Sequence, residues 1–386
     1  MNFKILLTVL LVLISLNTFD CQNVNLDRDL LLEWLEGDLN VTAIDLSGKN
    51  IETIDADTFK GLTGLVALFL NNNLLKSIPA GTFSDNVKLE FLYLYNNKLE
   101  SVEPDLVANI KNLRGLILNN NQLTDLPANL LDNNENLEYL YLHYNKLSSI
   151  KPGSFKSLKN LNYLYLHENE IVTVEKNTFV GLATVKLLYL YSNKIKTISS
   201  GAFNGLFGLY VLYLDLNLID TVAPDAFNEL KSLEELDLSK NKLKSLDPKL
   251  LASLTNLEVL YLDNNEIQAL DANTFKGLSN LNSIMLWNNK LSSLDPMLFN
   301  DLERLQELYL SDNQITVVTA NTFSKLTSLE DLRLANNNIL SIDRFAFVGL
   351  SKLEHVYMAN NPVCSFESSL LLKLCNTNSK CVMHIF

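Results

Sequence analysis

The sequence predicts an α/β solenoid, built from short turns that each add one strand to a single parallel sheet. Three observations predict it. An apolar pattern, LxxLxLxxNxL or a close variant, recurs fourteen times, and its period stays at 24 residues from Val41 to Leu353 without insertion or deletion. Within each copy the residues alternate apolar and polar over a short stretch, and each copy after the first carries an asparagine at the same offset. A unit this short cannot bury its own apolar face, so it stacks on its neighbours to do so.

Each element follows from its residues. From Leu161 to His167 the alternation has period two, so Leu161, Leu164 and Leu166 face inward on a strand. Equivalent strands then stack into one long parallel sheet. The asparagine at Asn73, and at every 24th residue to Asn361, closes the strand, and only the first copy departs from it, with Lys49. Its amide both donates and accepts, so it can satisfy backbone groups where the chain turns inward. These asparagines are structural, not catalytic. On the outer return, aliphatics such as Ile54, Ile78, Ile150 and Ile342 precede a phenylalanine column from Phe59 to Phe347. Val107, Leu131 and Leu251 interrupt that column. The phenylalanines are expected to stack into an internal aromatic spine.

The ends differ from the repeats. Lys4 and the apolar run Ile5–Leu16 have the length of a signal-peptide core, too short for a membrane span. Residues 1–22 are therefore assigned to a signal segment, 23–40 to an N-terminal helical cap over Leu26–Leu39, 41–363 to the repeats and 364–386 to a short C-terminal cap. No later run suits a membrane helix, so membrane insertion is not expected. The single glycosylation sequon is Asn40-Val41-Thr42. All four cysteines, Cys21, Cys364, Cys375 and Cys381, lie outside the repeats.

On these motifs the chain resembles extracellular leucine-rich-repeat proteins of the 24-residue class, such as Toll-type receptor ectodomains, Slit and the small leucine-rich proteoglycans. The resemblance implies a curved right-handed horseshoe with the sheet on its concave face and an irregular or short helical convex side. It also implies that macromolecules bind on the concave face, and it identifies no partner. Asn361-Pro362-Val363-Cys364 resembles the start of that family's C-terminal cap, which implies a disulfide from Cys364 to Cys375 or Cys381, with a short helix over Ser365–Leu374. The family's N-terminal cysteine cluster is missing.

Acidic residues number 44 against 31 basic, for a net charge of -13. That balance disfavours nucleic acid, heparin-like polymers and anionic lipid. A protein partner of basic character fits, with a neutral glycan as the alternative.

The outward strand positions are unusually aromatic. One column holds Tyr93, Tyr141, Tyr165, Tyr189 and Tyr213; its neighbours add Phe91, Tyr95, Tyr139, Tyr163 and Tyr191. These ten residues are the expected partner-binding surface, because tyrosine is enriched at interface hot spots. Aromatics also suit an exposed sheet for purely structural reasons. Further along, Glu234, Glu235, Asp237, Glu258 and Asp263 make the same face acidic, a pattern usual for a solvated surface. His143 and His167 share a column, with Glu168 beside them, and invite a metal or pH-sensing reading. Chance placement is the plainer account. No phosphate loop, HExxH or serine triad is present, so neither enzymatic activity nor a cofactor is expected. The function read here is a secreted recognition module in adhesion, signalling or innate defence, with a matrix component or scaffold subunit as the alternative.

The protein is accordingly expected in culture medium, beginning between residues 19 and 23, as N-terminal sequencing would establish. Full-length chain in a carbonate-resistant membrane pellet would contradict this.

Overall fold

The structure, a computed structural model, describes residues 23–365 and 382–384. The expected signal segment, the helix expected after Ser365, and the thiols of Cys364, Cys375 and Cys381 lie outside the described residues. The chain forms a parallel-sheet solenoid of about 14 turns with very little helix. It divides into two compact units, Met1–Val172 with Asn177–Tyr189, and Thr173–Lys176 with Leu190–Phe386.

In the first unit the sheet runs through Ala43–Asp45, Ala67–Phe69, Phe91–Tyr93, Gly115–Ile117, Tyr139–Tyr141, Tyr163–Tyr165 and Leu187–Tyr189. Every pairing is offset by one repeat, as in Tyr139↔Tyr163, Leu140↔Leu164 and Tyr141↔Tyr165. In the second unit the sheet runs from Val211–Tyr213 to His355–Tyr357 with the same offset. A further strand, Val382–His384, pairs parallel with His355–Tyr357. Sequence periodicity missed it, because Val382 and His384 fall outside the repeat spacing.

The core is the inward column. Leu140, Leu164 and Leu188 are fully buried, as is nearly every equivalent leucine. The bridging asparagines bind in a fixed way. Asn145 Oδ1 accepts from the Leu123 N–H at 3.0 Å, and its Nδ2 donates to the Leu118 and Leu142 carbonyls, both at 3.0 Å. Asn97, Asn121 and Asn265 repeat the set. The amide therefore ties its own turn to the preceding one, where the sequence pointed only to its own turn.

On the outer side, phenylalanine contacts occur in runs. Phe59 meets Phe83, Phe155 meets Phe179, and Phe275, Phe299, Phe323 and Phe347 form a longer series at 5.9–6.1 Å. Val107 and Leu131 interrupt the spine, so it is not continuous. Among the described residues the outer side is mostly irregular, as the resemblance implied. It carries single turns, such as Leu158 N–H to the Phe155 carbonyl, and two-residue strands such as Thr197–Ile198. Gly181 fits its turn because it lacks a side chain: its φ is 103°, and a Cβ there would lie 2.7 Å from the Phe155 and Lys156 carbonyl oxygens.

The N-terminal cap differs from the expected helix over Leu26–Leu39. It opens with a strand, Val24–Leu26, parallel to Ile51–Ile54, and its helix spans only Arg28–Trp34. Asp27 caps that helix, accepting from the Leu30 N–H at 2.8 Å. Glu36 and Gly37, with φ of 52° and 77°, end it. Leu31 and Trp34 are buried, whereas Leu39 is exposed.

Leu140→Ala should lower stability by about 2–5 kcal/mol through lost burial and a cavity. Asn145→Leu should cost about 1–3 kcal/mol, despite added apolar surface, because the buried Leu123 N–H loses its acceptor while the Leu118 and Leu142 carbonyls keep Asn121 and Asn169 as donors. Urea midpoints of the two variants measure both effects.

Candidate binding surface

The aromatic residues expected from the sequence fall into two groups in the first unit. In the first group Phe69 stacks on Tyr93 at 4.6 Å and 3°, with Phe91 6.3 Å from Tyr93. In the second, Tyr141, Tyr165 and Tyr189 stack at 4.6 and 5.0 Å, and Tyr139 stacks on Tyr163 at 5.4 Å. Gly115–Ile117 separates the groups. Its glycine has a reason: a Cβ on Gly115 would lie 2.7 Å from Phe91 Cδ1, so the Phe91 ring occupies that space. The aromatic field is thus interrupted, not unbroken. Tyr95 is half-buried beside the first group, while Tyr191 and Tyr213 belong to the second unit.

Ring orientation decides what the column presents. Near-parallel rings with centroids under 5 Å apart are stacked face to face and cannot lie side by side in one plane. The column therefore presents ring edges and phenol hydroxyls, not a flat aromatic sheet. Burial, the phenols of Tyr165, Tyr139 and Tyr163, and a hydrogen bond with Tyr165 hold the Tyr141 hydroxyl far above the usual phenol range. This hydroxyl stays protonated and can both donate and accept.

His143 and His167 join this group, although the sequence reading left them out of the surface. Their imidazoles stack at 4.5 Å and 16°, and Tyr144 packs edge-on to both at 5.6 and 5.8 Å. Burial lowers each histidine to about 4, with His143 adding to the effect on His167. Stacked rings point their nitrogen lone pairs along parallel lines, which does not suit one shared metal ion. No cluster of three or more metal-ligating side chains occurs among the described residues. The shared column was the available sequence signal for this pair.

Beside the aromatic groups, Arg114 bridges Glu138 at 2.9 Å and Glu90 at 3.4 Å. These three residues line a shallow cleft of about 210 Å³ with Asn112, Asn136 and Asn160.

The second unit presents a different face. Tyr213 donates to Glu235 at 2.8 Å, and the Arg333 guanidinium lies 4.0 Å from the Tyr309 ring and 5.0 Å from Tyr357. Burial, with Asp215 and Asp263 adding, pushes Asp237 up to about 6 against hydrogen bonds from Ser239.

The family model described as Leucine rich repeat matches residues 40–99, 92–147, 111–171, 135–190, 159–207, 207–267, 255–315 and 303–363. No curated protein sequence matches. Among solved structures, the chain is similar to a chain of the Drosophila Toll–Spatzle complex, with 19% identity and a TM-score of 0.65. That match covers 86% of this chain and 55% of the other, so this chain spans about half its length. The leucine-rich-repeat domain of APL1B is similar at 23% identity and TM-score 0.65, covering 83% and 90% of the two chains. A Leptospira interrogans leucine-rich-repeat protein aligns at 26% identity and TM-score 0.62, covering 94% of this chain and 100% of that one.

The histidine stack makes stability depend on pH. The fold holds both imidazoles neutral down to about 4, whereas the unfolded chain takes up protons from the ordinary value of 6.5 downward. Stability present above pH 6.5 is therefore lost as pH falls toward 4. Asp237 acts oppositely, since its carboxyl binds a proton in the fold near pH 6 and when unfolded only near 3.8. Between about pH 7 and 5 the double variant His143→Gln, His167→Gln should lose less stability than the parent, and Asp237→Asn should lose more. Denaturant midpoints at the two pH values check both directions.

Proposed function

That this chain belongs to the leucine-rich-repeat family is the premise from which we infer a secreted protein-binding module, acting in adhesion, signalling or innate defence. The observation that carries the reading is the stack of Tyr141, Tyr165 and Tyr189 with Tyr139 and Tyr163 beside it. Packing already immobilises these rings, so a partner that meets them loses little side-chain entropy. Their apolar bodies exclude water, and the hydroxyls along the edge meet backbone or side-chain polar groups.

A protein partner of basic character is favoured by the net charge of -13. No helix among the described residues is long and apolar enough to cross a membrane. Asn40 is exposed in front of the first strand of the sheet, which suits a glycan there. In an oxidising compartment, a disulfide from Cys364 to Cys375 or Cys381 would close the C-terminal cap.

The test uses the tagged chain as bait in native extracellular fluid, with cross-linking mass spectrometry to identify partner and contact surface. Tyr141→Ala with Tyr165→Ala should weaken binding of the identified partner by at least about tenfold, or about 1.4 kcal/mol. The control is Glu234→Ala with Glu258→Ala, two exposed carboxylates on the second unit. Loss of binding in that control, with normal binding by the folded tyrosine variant, would replace this site by an electrostatic one.

A further inference from the structure

Just before each bridging asparagine, the chain passes through one left-handed residue. Its φ is 55° at Asn96 and Asn120, 54° at Tyr144 and 55° at Glu168. Asparagine and glycine tolerate this conformation better than other residues. Asparagines in this column also bond to one another, as Asn96 Nδ2 does to Asn72 Oδ1 at 2.7 Å and Asn360 to Asn336 at 2.6 Å. Tyr144 and Glu168 have the same backbone and neither advantage, as do Leu216 and Lys240 in the second unit. The turn itself therefore does not call for a tyrosine or a glutamate at these two positions.

The two residues hold equal positions on adjacent turns, where the Tyr144 N–H donates to the His167 carbonyl and the Asn145 N–H to the Glu168 carbonyl, both at 3.2 Å. Tyr144 is 48% exposed and packs edge-on to the His143–His167 stack, prolonging the aromatic group past the ends of the strands. Glu168 is half-buried next to His167 and forms no ion pair among the described residues. The nearby cation Lys146 is turned toward Gln122, at 3.2 Å. The corner therefore combines an exposed ring with one carboxylate that has no ion pair among the described residues.

We propose that Tyr144 and Glu168 are binding residues that seat a basic side chain of a protein partner at this corner. Glu168 pairs with the lysine or arginine head, and the Tyr144 ring lies against the aliphatic stem. The imidazoles are neutral at pH 7 and do not repel the cation. This rests on the reading of the tyrosine face as the partner surface, and extends that surface onto its rim.

A random-peptide phage library panned on the full chain supplies the probe, and recovered peptides are titrated by fluorescence anisotropy. The expected peptides carry lysine or arginine. Tyr144→Asn and Glu168→Asn should each weaken them by about tenfold. Both variants should also keep or raise Tm, because asparagine suits the left-handed backbone. Opposite signs in binding and stability mark a site selected for recognition. Recovery of no peptide, peptides without basic residues, or affinity unchanged in both variants overturns the proposal. If Tyr141→Ala with Tyr165→Ala also leaves affinity unchanged, the reading of the tyrosine face falls too. If that pair alone weakens binding, only the rim assignment falls.

Discussion

The asparagine that bridges adjacent turns is the constraint on which the rest of this fold depends. One buried amide must reach an N–H 22 residues earlier and carbonyls 27 and 3 residues earlier at the same time. The Leu118 and Leu142 carbonyls each accept from two successive asparagines, the second being Asn121 and Asn169, so the amides form one continuous ladder, and leaving its groups bare in an apolar core is expensive. An inserted or deleted residue within a turn would move the first two targets out of reach together. The unbroken period of 24 residues is the outcome of that geometry.

Once the amides and leucines have set the register, equal positions on successive strands lie about 4.7–4.9 Å apart. That spacing is close to the stacking distance of aromatic rings, so tyrosines in one column stack without distorting the sheet. The same register brings carboxylates together in the second unit. Asp237 answers by holding its proton to about pH 6, with burial as the main cause and Asp215 and Asp263 contributing. At Arg333 a planar cation takes a place in the column between Tyr309 and Tyr357. One backbone rule thus yields an aromatic surface in one unit and a charged one in the other.

The repeat register was fully legible in the sequence, because leucine and asparagine spacing is a direct image of the strand and its closing turn. The columns of Tyr141, Tyr165 and Tyr189 were legible for the same reason. Ring orientation was not, since periodicity says which face a side chain leaves from and nothing about how it turns to meet its neighbour. The Val24–Leu26 strand escaped notice because three residues outside the repeat carry no periodic signal. Asn86 and Asn134 show another limit. They occupy a column otherwise filled by leucine or isoleucine, and both are fully buried, donating to pairs of outer-side carbonyls. An isolated asparagine in an Asn-rich sequence does not announce that role.

The bonds of Asn121 are those of Asn145 moved back by one turn. Removing one whole repeat and rejoining the ends would leave every remaining amide facing an N–H and two carbonyls of the right kind. Gene duplication or unequal recombination can therefore lengthen or shorten such a chain in whole-repeat steps with little consequence for folding. Recognition has no such freedom. Loss of the turn that carries Tyr165 would set Tyr141 beside Tyr189 and leave His143 without the ring it stacks on. In this architecture the number of repeats is cheap to change, and their order is what inheritance must preserve.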